Sequence, residues 1–317
     1  MEQIKGGGSA EEARVKALFI YPVKSCAGIS VSHAFIASRG FQWDRQWMLV
    51  NESGRFITQR REPKIALVKV SLPPEVLHDS WGPLPKNACL CFNAPGMQQL
   101  NVPLVPSAPL KKIDQVTVWD WSGPGLLEGP DATRWFTEYL GKPARLIRLD
   151  NGNMNRATDP KYAAGFPTAF SDQSPFLMIS QASLDALNER LPIPLPINRF
   201  RPNIFIEGCE PFAEDTWDTF TIGKYTFHGV KLSARCKITT IDQSTAEVGE
   251  EPLVTLRTFR AGKHLTSLHD MRNGQAYFGQ HLTCDESLLP HNGTHPILRV
   301  GDAIHVEKIA TVTEIMS

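Results

Sequence analysis

The sequence predicts a strand-dominated α+β protein made of two units. The chain has 317 residues, which exceeds the size at which a single hydrophobic core usually stops growing, so two domains are expected. Short β-like runs bounded by turn residues outnumber helical patterns along the sequence. The composition, with 42% hydrophobic and 21% charged residues, is that of a globular protein with enough apolar material for a core.

Residues 14–128 are predicted to form a β-rich domain. The stretch 121–125 contains Ser, Gly and Pro in close succession and is predicted as a turn. We place the domain boundary near Gly129, where a helical pattern replaces the β-like runs. Strands are expected at 15–21, 31–37, 47–50, 65–70, 88–92 and 116–119.

Residues 129–317 are predicted to form a second, strand-dominated domain with peripheral helices. The first helix begins at Pro130, places its apolar residues on one face and ends at Gly141. Two further helices are expected, at 180–191 with Ser180 as the N-terminal cap and at 252–260. Strands are expected at 144–149, 176–179, 203–206, 224–232, 237–241, 276–282 and 303–309.

The charge balance and the missing motifs exclude several classes of function. Lys plus Arg and Asp plus Glu number 33 each, so the chain has no overall field to hold a polyanion, and nucleic-acid binding is not expected. The sequence contains no Gly-x-Gly-x-x-Gly fingerprint for a nicotinamide, no Walker loop, no Gly-x-Ser-x-Gly elbow and no His-Glu-x-x-His pair. These absences argue against a dinucleotide enzyme, an NTPase, an esterase and a zinc protease.

Cysteine usage and the N-terminus bear on the cellular location. The six cysteines are too sparse for a disulfide framework, which predicts free thiols in a reducing, intracellular compartment. No stretch reaches the ~18 consecutive apolar residues of a membrane span. The run Gly6-Gly7-Gly8-Ser9 is typical of a flexible linker, so a natural anchor upstream of it could have been removed.

One cysteine has unusual neighbours. Cys236 lies between Arg235 and Lys237 and is followed by the hydroxyl pair Thr239 and Thr240. Adjacent positive charge stabilises a thiolate over a thiol, and the thiolate is the form that acts as a nucleophile or binds a soft metal. The alternative role, a small buried hydrophobic residue, fits the two flanking cations poorly.

Three other segments, 21–26, 43–47 and 198–203, combine cations with small polar residues. Arg provides a planar fork that suits phosphate, and Lys provides a compact charge. Together these segments could hold a phosphorylated cofactor, whereas each alone is more typical of a surface ion pair. If 198–203 is extended, Arg199 and Arg201 point to the same side.

Five ordered motifs resemble the amidoxime reducing component family. They are Tyr-Pro-Val-Lys-Ser at 21–25, Asp-Arg-Gln-Trp at 44–47, Ser-Asp-Gln-Ser-Pro at 171–175, Asn-Arg-Phe-Arg-Pro-Asn at 198–203, and Ser-Ala-Arg-Cys at 233–236 followed by Thr-Thr at 239–240. The resemblance runs from about residue 15 to residue 309. It implies an N-terminal β-rich domain over 14–128 and a MOSC β-barrel domain with peripheral helices over 129–317.

The resemblance also implies a molybdenum cofactor, in the form of molybdenum bound to molybdopterin with a cysteine ligand and two oxo groups. Cys236 is then the metal ligand and a catalytic residue, and Asp172 is a catalytic residue that handles protons or orients substrate. From the sequence alone, Asp172 is equally compatible with a turn. Gln173 stands where the family has a small hydroxyl residue. The implied cofactor-binding residues are Lys24, Ser25, Arg45, Ser171, Ser174, Asn198, Arg199, Arg201, Asn203, Ser233, Arg235 and Thr239.

The activity implied by the resemblance is reduction of N-oxygenated substrates such as amidoximes, hydroxylamines, N-hydroxylated bases and nitrite. Electrons would come from NADH through cytochrome b5 reductase and cytochrome b5. A monomer is expected, in the cytosol or, with an N-terminal anchor, on the cytosolic face of the mitochondrial outer membrane. Two alternatives stay open: a sulfur carrier with a persulfide on Cys236, and a protein that stores or delivers the cofactor.

Overall fold

The computed structural model describes residues 12–78, 83–153, 156–265, 272–288 and 296–310. The strands are β1 (Arg14–Ile20), β2 (Ile29–Val31), β3 (His33–Ala37), β4 (Gly40–Phe41), β5 (Trp47–Val50), β6 (Lys69–Ser71), β7 (Cys89–Asn93), β8 (Leu100–Pro103), β9 (Lys111–Val118), β10 (Trp121–Leu127), β11 (Arg145–Leu149), β12 (Phe176–Ser180), β13 (Ile204–Glu207), β14 (Trp217–Ile222), β15 (Tyr225–Ala234), β16 (Tyr277–Cys284), β17 (Ile297–Arg299) and β18 (Ile304–Ile309). The α-helices are α1 (Pro130–Leu140), α2 (Pro160–Ala163), α3 (Gln181–Asn188) and α4 (Leu253–Phe259). The predicted strand-dominated α+β class is confirmed.

The largest sheet has eight strands in the order β18-β14-β15-β16-β12-β13-β1-β2. Its pairs are antiparallel except for β12 and β13, which run parallel. Backbone contacts also join β18 to β1, because Arg14 forms a bridge with Ala303 and the Ile304 amide donates to the Ala13 carbonyl at 2.7 Å. The sheet therefore curls until the start of β18 meets the start of β1.

A second, four-stranded sheet has the order β5-β11-β10-β9. The hairpin of β9 and β10 includes the stretch 121–125, so the predicted turn there is wrong. The ladder has a bulge between Gly123 and Gly125 that contains Pro124, and a bulge tolerates a residue that has no N–H to donate. The turn of the hairpin is instead formed by Trp119 and Asp120.

Two further predicted strands are also wrong in part. Residues 65–70 contain the end of a 3-10 helix, Pro63–Leu67, and only the start of β6. Residues 237–241 form the 3-10 helix Lys237–Thr240. Here the amide and the hydroxyl of Thr239 both bond the Cys236 carbonyl at 3.0 Å, and this local side-chain bond closes a turn where the apolar alternation suggested a strand.

The predicted helices are confirmed with small differences in their ends. Helix α1 buries Trp135 and Phe136 against Phe92, with ring centroids 5.3 Å apart for the two phenylalanines. Gly141 ends α1 in the left-handed conformation and donates its amide to the Thr137 carbonyl. Ser180 caps α3 by accepting a hydrogen bond from the Ser183 amide at 3.0 Å.

Strands from both sides of Gly129 share sheets. β1 pairs with β13 in the largest sheet, and β5 pairs with β11 in the second sheet. The division at residues 128 and 129 stays a prediction, since the sheets mix strands from both predicted units. The consequence for the candidate site is that motifs from the first half of the sequence lie next to motifs from the second half.

Candidate active site

A cavity of about 580 Å³ collects residues from all five motifs. It lies where β12, β15 and β16 meet the loops that follow β1 and β4. The predicted site residues that line it are Lys24, Ser25, Arg45, Ser171, Asp172, Ser174, Arg201, Asn203, Ser233, Arg235, Cys236 and Thr239.

Cys236 follows the end of β15 and caps the 3-10 helix Lys237–Thr240. Thr239 fixes the backbone there through its two bonds to the Cys236 carbonyl. The side chain is half-buried, its thiol is free, and Nη1 of Arg60 lies 3.6 Å from its sulfur. A fixed cysteine with a cation at the sulfur is a suitable ligand for a soft metal.

Asp172 is held by two donors. Nζ of Lys24 and Nε1 of Trp119 both bond Oδ1 of Asp172, the latter at 3.0 Å. Partial desolvation in the cavity would by itself raise the pKa of Asp172, but Lys24, Trp119 and Arg60 together hold it well below its ordinary value. Burial lowers the pKa of Lys24 to about 8, against the opposing influence of Asp172. The pair therefore places an ionised carboxylate beside a lysine that can release its proton near neutral pH.

Two arginines enclose an aromatic ring beside the cavity. The guanidinium carbons of Arg45 and Arg201 lie 4.2 and 4.3 Å from the centroid of the Tyr21 ring. Arg45 is oriented by Asp44, at 2.7 Å, and by Oδ1 of Asn203, at 3.1 Å. For Arg201, the described residues provide no hydrogen-bond acceptor, and burial lowers its pKa to about 10. Its guanidinium is thus free to bind an anion in the cavity.

Backbone strain is concentrated around this cavity. Ser25, Arg45, Arg201 and Trp119 all have positive φ, at 71°, 48°, 58° and 55°. Non-glycine residues rarely adopt this left-handed conformation, and where they do, it is commonly maintained by surrounding contacts at a functional site. All four side chains line the cavity.

Arg235 is buried and directed by neighbouring oxygens. Its Nη1 bonds the Ser233 hydroxyl at 2.9 Å and its Nη2 bonds the Phe200 carbonyl at 2.7 Å. Burial lowers its pKa, and its Nε has no partner among the described residues. Arg235 therefore adds a desolvated positive charge next to Cys236.

Two predicted cofactor-binding residues do not line the cavity. Asn198 is exposed, and Arg199 bonds Asp242 at 3.3 Å and the Thr239 carbonyl at 3.5 Å. Residues 197–199 form a 3-10 helix and Arg201 has positive φ, so the segment is not extended and the condition under which Arg199 and Arg201 would point to the same side is not met. Arg199 contacts the 3-10 helix after Cys236.

Several cavity residues were not predicted from the sequence. They include Arg60, Trp119, Arg156, Tyr162, Lys231 and His281. Arg156 bonds the carbonyls of Ala169 and Ser171, at 2.5 and 2.6 Å, and so shapes the loop that carries Asp172. Lys231 lies 4.1 Å from the centroid of the Tyr162 ring. Arg60 lies two residues after the buried Thr58 and forms a pair of arginines with Arg61. This pair is the only feature of the sequence that could have indicated a role for Arg60.

The residues of the cavity fit an anionic, sulfur-ligating cofactor. The hydroxyl of Ser171 and Nδ1 of His281 are both buried, and neither has a hydrogen-bond partner in the described part of the chain. Such atoms call for a ligand. Cations outnumber carboxylates in the lining, which is the arrangement that a phosphate requires in a chain with no net charge. The cations are Lys24, Arg45, Arg60, Arg156, Arg201, Lys231, Arg235 and Arg272, and the acids are Asp120, Asp159 and Asp172.

The described ranges contain neither a membrane-spanning helix nor a cluster of metal-ligating side chains. No helix in them has the length and apolar character needed to cross a membrane. No group of three or more His, Cys, Asp or Glu side chains in them is arranged to hold a metal ion.

Comparisons with known proteins cover almost the whole chain. The family described as the MOSC N-terminal beta barrel domain matches residues 12–143, and the MOSC domain family matches residues 166–305. Mitochondrial amidoxime reducing component 2 of Rattus norvegicus is 34% identical over 303 residues, which cover 92% of this chain and 82% of the relative. Mitochondrial amidoxime-reducing component 1 of Xenopus laevis is 32% identical, with 95% and 85% covered.

A longer relative matches the same region. Molybdenum cofactor sulfurase of Danio rerio is 32% identical over 323 residues, which cover 94% of this chain and 34% of the relative. The match to the two amidoxime reducing components extends over most of their own length as well. The chain belongs to the amidoxime reducing component family of MOSC-domain proteins.

Proposed function

We propose that this protein is a molybdenum cofactor-dependent reductase of N-hydroxylated compounds, such as amidoximes and hydroxylamines, that yields the deoxygenated product and water. The observation that carries the proposal is the single cavity in which the free thiol of Cys236, the carboxylate of Asp172 and an excess of desolvated cations lie together. The names of the relatives, amidoxime reducing component and molybdenum cofactor sulfurase, support the same class of chemistry.

In this proposal the chain binds the cofactor through a metal ligand and through contacts to its phosphate. Cys236 provides a thiolate to molybdenum, while Arg201, Arg45 and Lys24 bind the phosphate of molybdopterin with charge-assisted hydrogen bonds. The bound cofactor supplies the oxygen-transfer and redox chemistry, and the protein orients it. Ser25, Ser171, Ser174, Asn203, Ser233, Arg235 and Thr239 are proposed as further contacts.

Asp172 is proposed to accept a hydrogen bond from the substrate rather than to donate a proton. The reason is that Lys24 and Trp119 keep it ionised at neutral pH. Lys24 lies in contact with it and has a pKa lowered to about 8, so its ammonium group can donate one of the two protons with which the substrate oxygen leaves as water, while solvent supplies the other and recharges Lys24. The pair thus provides both a fixed acceptor and a replenishable proton.

Electrons are proposed to arrive from cytochrome b5, which NADH-dependent cytochrome b5 reductase reduces. The excess of cations among the residues that line the cavity supports an encounter with an acidic partner surface, because opposite charges raise the rate of association. Reduction of nitrite is proposed as a side activity of the same site. On the basis of the relatives' names, we also propose a mitochondrial association for the native protein.

The two alternative functions, a sulfur carrier and a cofactor storage protein, predict different groups bound to the protein. A sulfur carrier would have a labile sulfur on Cys236 and little need for a desolvated Arg201, and a storage protein would hold cofactor without turnover. The presence of Arg201, without an acceptor among the described residues, favours binding of an anionic cofactor over sulfur transfer.

The test is to purify the full chain after expression with molybdate and to measure molybdenum and pterin per chain. Reduction of benzamidoxime is then followed with NADH, cytochrome b5 and the reductase. We expect about one molybdenum per chain and turnover that depends on it. A protein that carries a persulfide on Cys236 and no molybdenum, or that is fully loaded and does not turn over, would overturn the proposal.

A further inference from the structure

Two residues outside the predicted site connect the two candidate catalytic side chains. Nη1 of Arg60 lies 3.6 Å from Sγ of Cys236, and Nε1 of Trp119 donates to Oδ1 of Asp172 at 3.0 Å. The guanidinium carbon of Arg60 lies 4.2 Å from the centroid of the Trp119 ring. The four side chains therefore form one continuous chain of contacts from Cys236 to Asp172.

Arg60 and Trp119 come from a different part of the sequence than the residues they contact. Arg60 lies in the turn that precedes the 3-10 helix Pro63–Leu67, and Trp119 is at the tip of the β9–β10 hairpin. Cys236 and Asp172 both follow Gly129. Residues from the first half of the chain thus contact the two candidate catalytic side chains, which belong to the second half.

Trp119 is held in an unusual backbone conformation. Its φ of 55° is one that glycine or asparagine adopts more readily in a tight turn, yet a bulky indole occupies the position. The ring packs against Phe56, with centroids 5.3 Å apart, and under the Arg60 guanidinium, while 40% of the residue is exposed. A residue keeps such a backbone conformation where surrounding contacts maintain it, and for Trp119 these contacts include the hydrogen bond to Asp172.

The two donors to Asp172 use the same oxygen. Lys24 and Trp119 both bond Oδ1, and in the described ranges no donor bonds Oδ2. The side chain of Asp172 is 42% exposed. One oxygen thus anchors the carboxylate and the other is available to a ligand in the cavity.

We propose that Arg60 and Trp119 are positioning residues: Arg60 orients the sulfur of Cys236, and Trp119 orients Asp172 so that Oδ2 accepts a hydrogen bond from an N–H or O–H of the substrate. This inference rests on the proposed function and, among its organic substrates, narrows the class to N-oxygenated compounds that carry such a donor beside the reacting oxygen. Arg60 and Trp119 support each other by stacking, so each change is expected to disturb both contacts.

The test uses the full-length holoenzyme with the changes Trp119→Phe, Arg60→Gln and Arg60→Lys. Trp119→Phe keeps an aromatic ring and removes the N–H, and Arg60→Lys keeps the charge but not the planar group. The controls are Trp121→Phe, on the same hairpin, and Arg61→Gln, an exposed neighbour; neither residue lines the cavity. Thermal unfolding identifies any variant that does not fold.

We expect Trp119→Phe to lower kcat/KM for benzamidoxime about tenfold, mainly through KM, because one bond to a charged group is lost. Arg60→Gln should lower the molybdenum content per chain and shift the electron paramagnetic resonance signal of Mo(V), with partial recovery in Arg60→Lys. The control variants should match the wild type in all of these measurements.

The outcomes separate this inference from the proposed function. If the wild type binds no molybdenum, the proposed function fails and the inference fails with it. If the wild type is loaded and active, but folded Trp119→Phe and Arg60→Gln proteins have its molybdenum content, Mo(V) signal and KM, only the inference is overturned. Equal effects of the control and test variants would also overturn it.

Discussion

Nζ of Lys24 donates a hydrogen bond to Oδ1 of Asp172, across a sequence separation of 148 residues. Lys24 is almost fully buried and also bonds the Phe170 carbonyl at 2.8 Å. A buried lysine whose charge is only partly compensated attracts an anion, and its charge depends on pH near neutrality. This contact joins the first and third motifs into one electrostatic unit.

The charge on Lys24 leads to a prediction about cofactor retention. A lysine with a pKa of about 8 is charged below that pH and loses its charge as the pH rises through it. Affinity for an anionic cofactor should therefore fall between pH 7 and pH 9.5, by at most about tenfold per pH unit for one proton. Molybdenum retained after dialysis measures this. Lys24→Arg should flatten the profile, and an identical profile in that variant would contradict the prediction.

Replacing Cys236 by Ser should abolish reductase activity without unfolding the protein. The change removes the thiolate and nearly preserves the side-chain volume at a half-buried site. Molybdenum content, turnover and the midpoint of thermal unfolding are the measurements. Cys209→Ser, at a half-buried cysteine outside the cavity, is the control. A Cys236→Ser protein that is loaded and fully active would refute the ligand assignment.

Arg201→Ala should lower cofactor content far more than Arg134→Ala. Arg201 lies in the cavity with no acceptor among the described residues, so its contact to an anion is worth about 1.5–3 kcal/mol, whereas the Arg134 side chain is 72% exposed. Pterin per chain after dialysis distinguishes them. The same pterin content in both variants would show that Arg201 has only a structural role.

Arg199→Ala should behave differently from Arg201→Ala. Because Arg199 bonds Asp242 and the Thr239 carbonyl outside the cavity, its loss should lower thermal stability before it affects cofactor content. Unfolding midpoints and pterin content are measured on the same preparations. A loss of pterin at unchanged stability would place Arg199 in the cofactor site after all.

NADH alone should not support turnover, whereas addition of cytochrome b5 and its reductase should. The sequence has no glycine fingerprint for a dinucleotide. At limiting cytochrome b5, the rate should decline from low to physiological ionic strength, because salt screens the charges that guide the encounter. A small dye reductant should be much less affected. Equal rates with NADH alone and with the complete system would rule out the partner requirement.

Arg260→Met should destabilise the fold by about 3–5 kcal/mol, because it leaves the buried carboxylate of Asp215 without its ion-pair partner. Lys308→Met is the matched control, since its ion pair with Asp218 is exposed and such pairs contribute about 0–1 kcal/mol. Urea unfolding gives both values. A difference under 1 kcal/mol between the two variants would contradict the prediction.

The sequence motifs identified twelve residues of the cavity, because each motif carries its own polar or charged side chains. Cys236, Asp172 and Arg201 could be found in this way. Arg60 and Trp119 could not, since only the tertiary fold brings a hairpin tip and a turn to the sulfur and the carboxylate. The periodicity of apolar residues predicted strands and helices. It failed where hydrogen bonds between residues close in sequence formed a 3-10 helix in place of a predicted strand.

Two examples explain these failures. At Thr239, a side-chain bond to the preceding turn replaced the predicted strand, and at 197–199 a 3-10 turn rotated Arg199 away from Arg201. Positive φ at Arg45 and Arg201 has no signal in residue type, because arginine does not favour that conformation. Strained backbone at a site is fixed by contacts far away in sequence, which a single sequence does not display.

The backbone contacts that join Ala13 and Arg14 to Ala303 and Ile304 have a consequence for biosynthesis. β1 can pair with β2 as soon as both have been made, whereas its other edge waits for β13 and for the bridging residues before β18. The largest sheet therefore cannot close until residues 303 and 304 have been synthesised, and these long-range pairings make its folding slow. Until then one edge of β1 presents unpaired backbone groups, which are prone to pair with other strands.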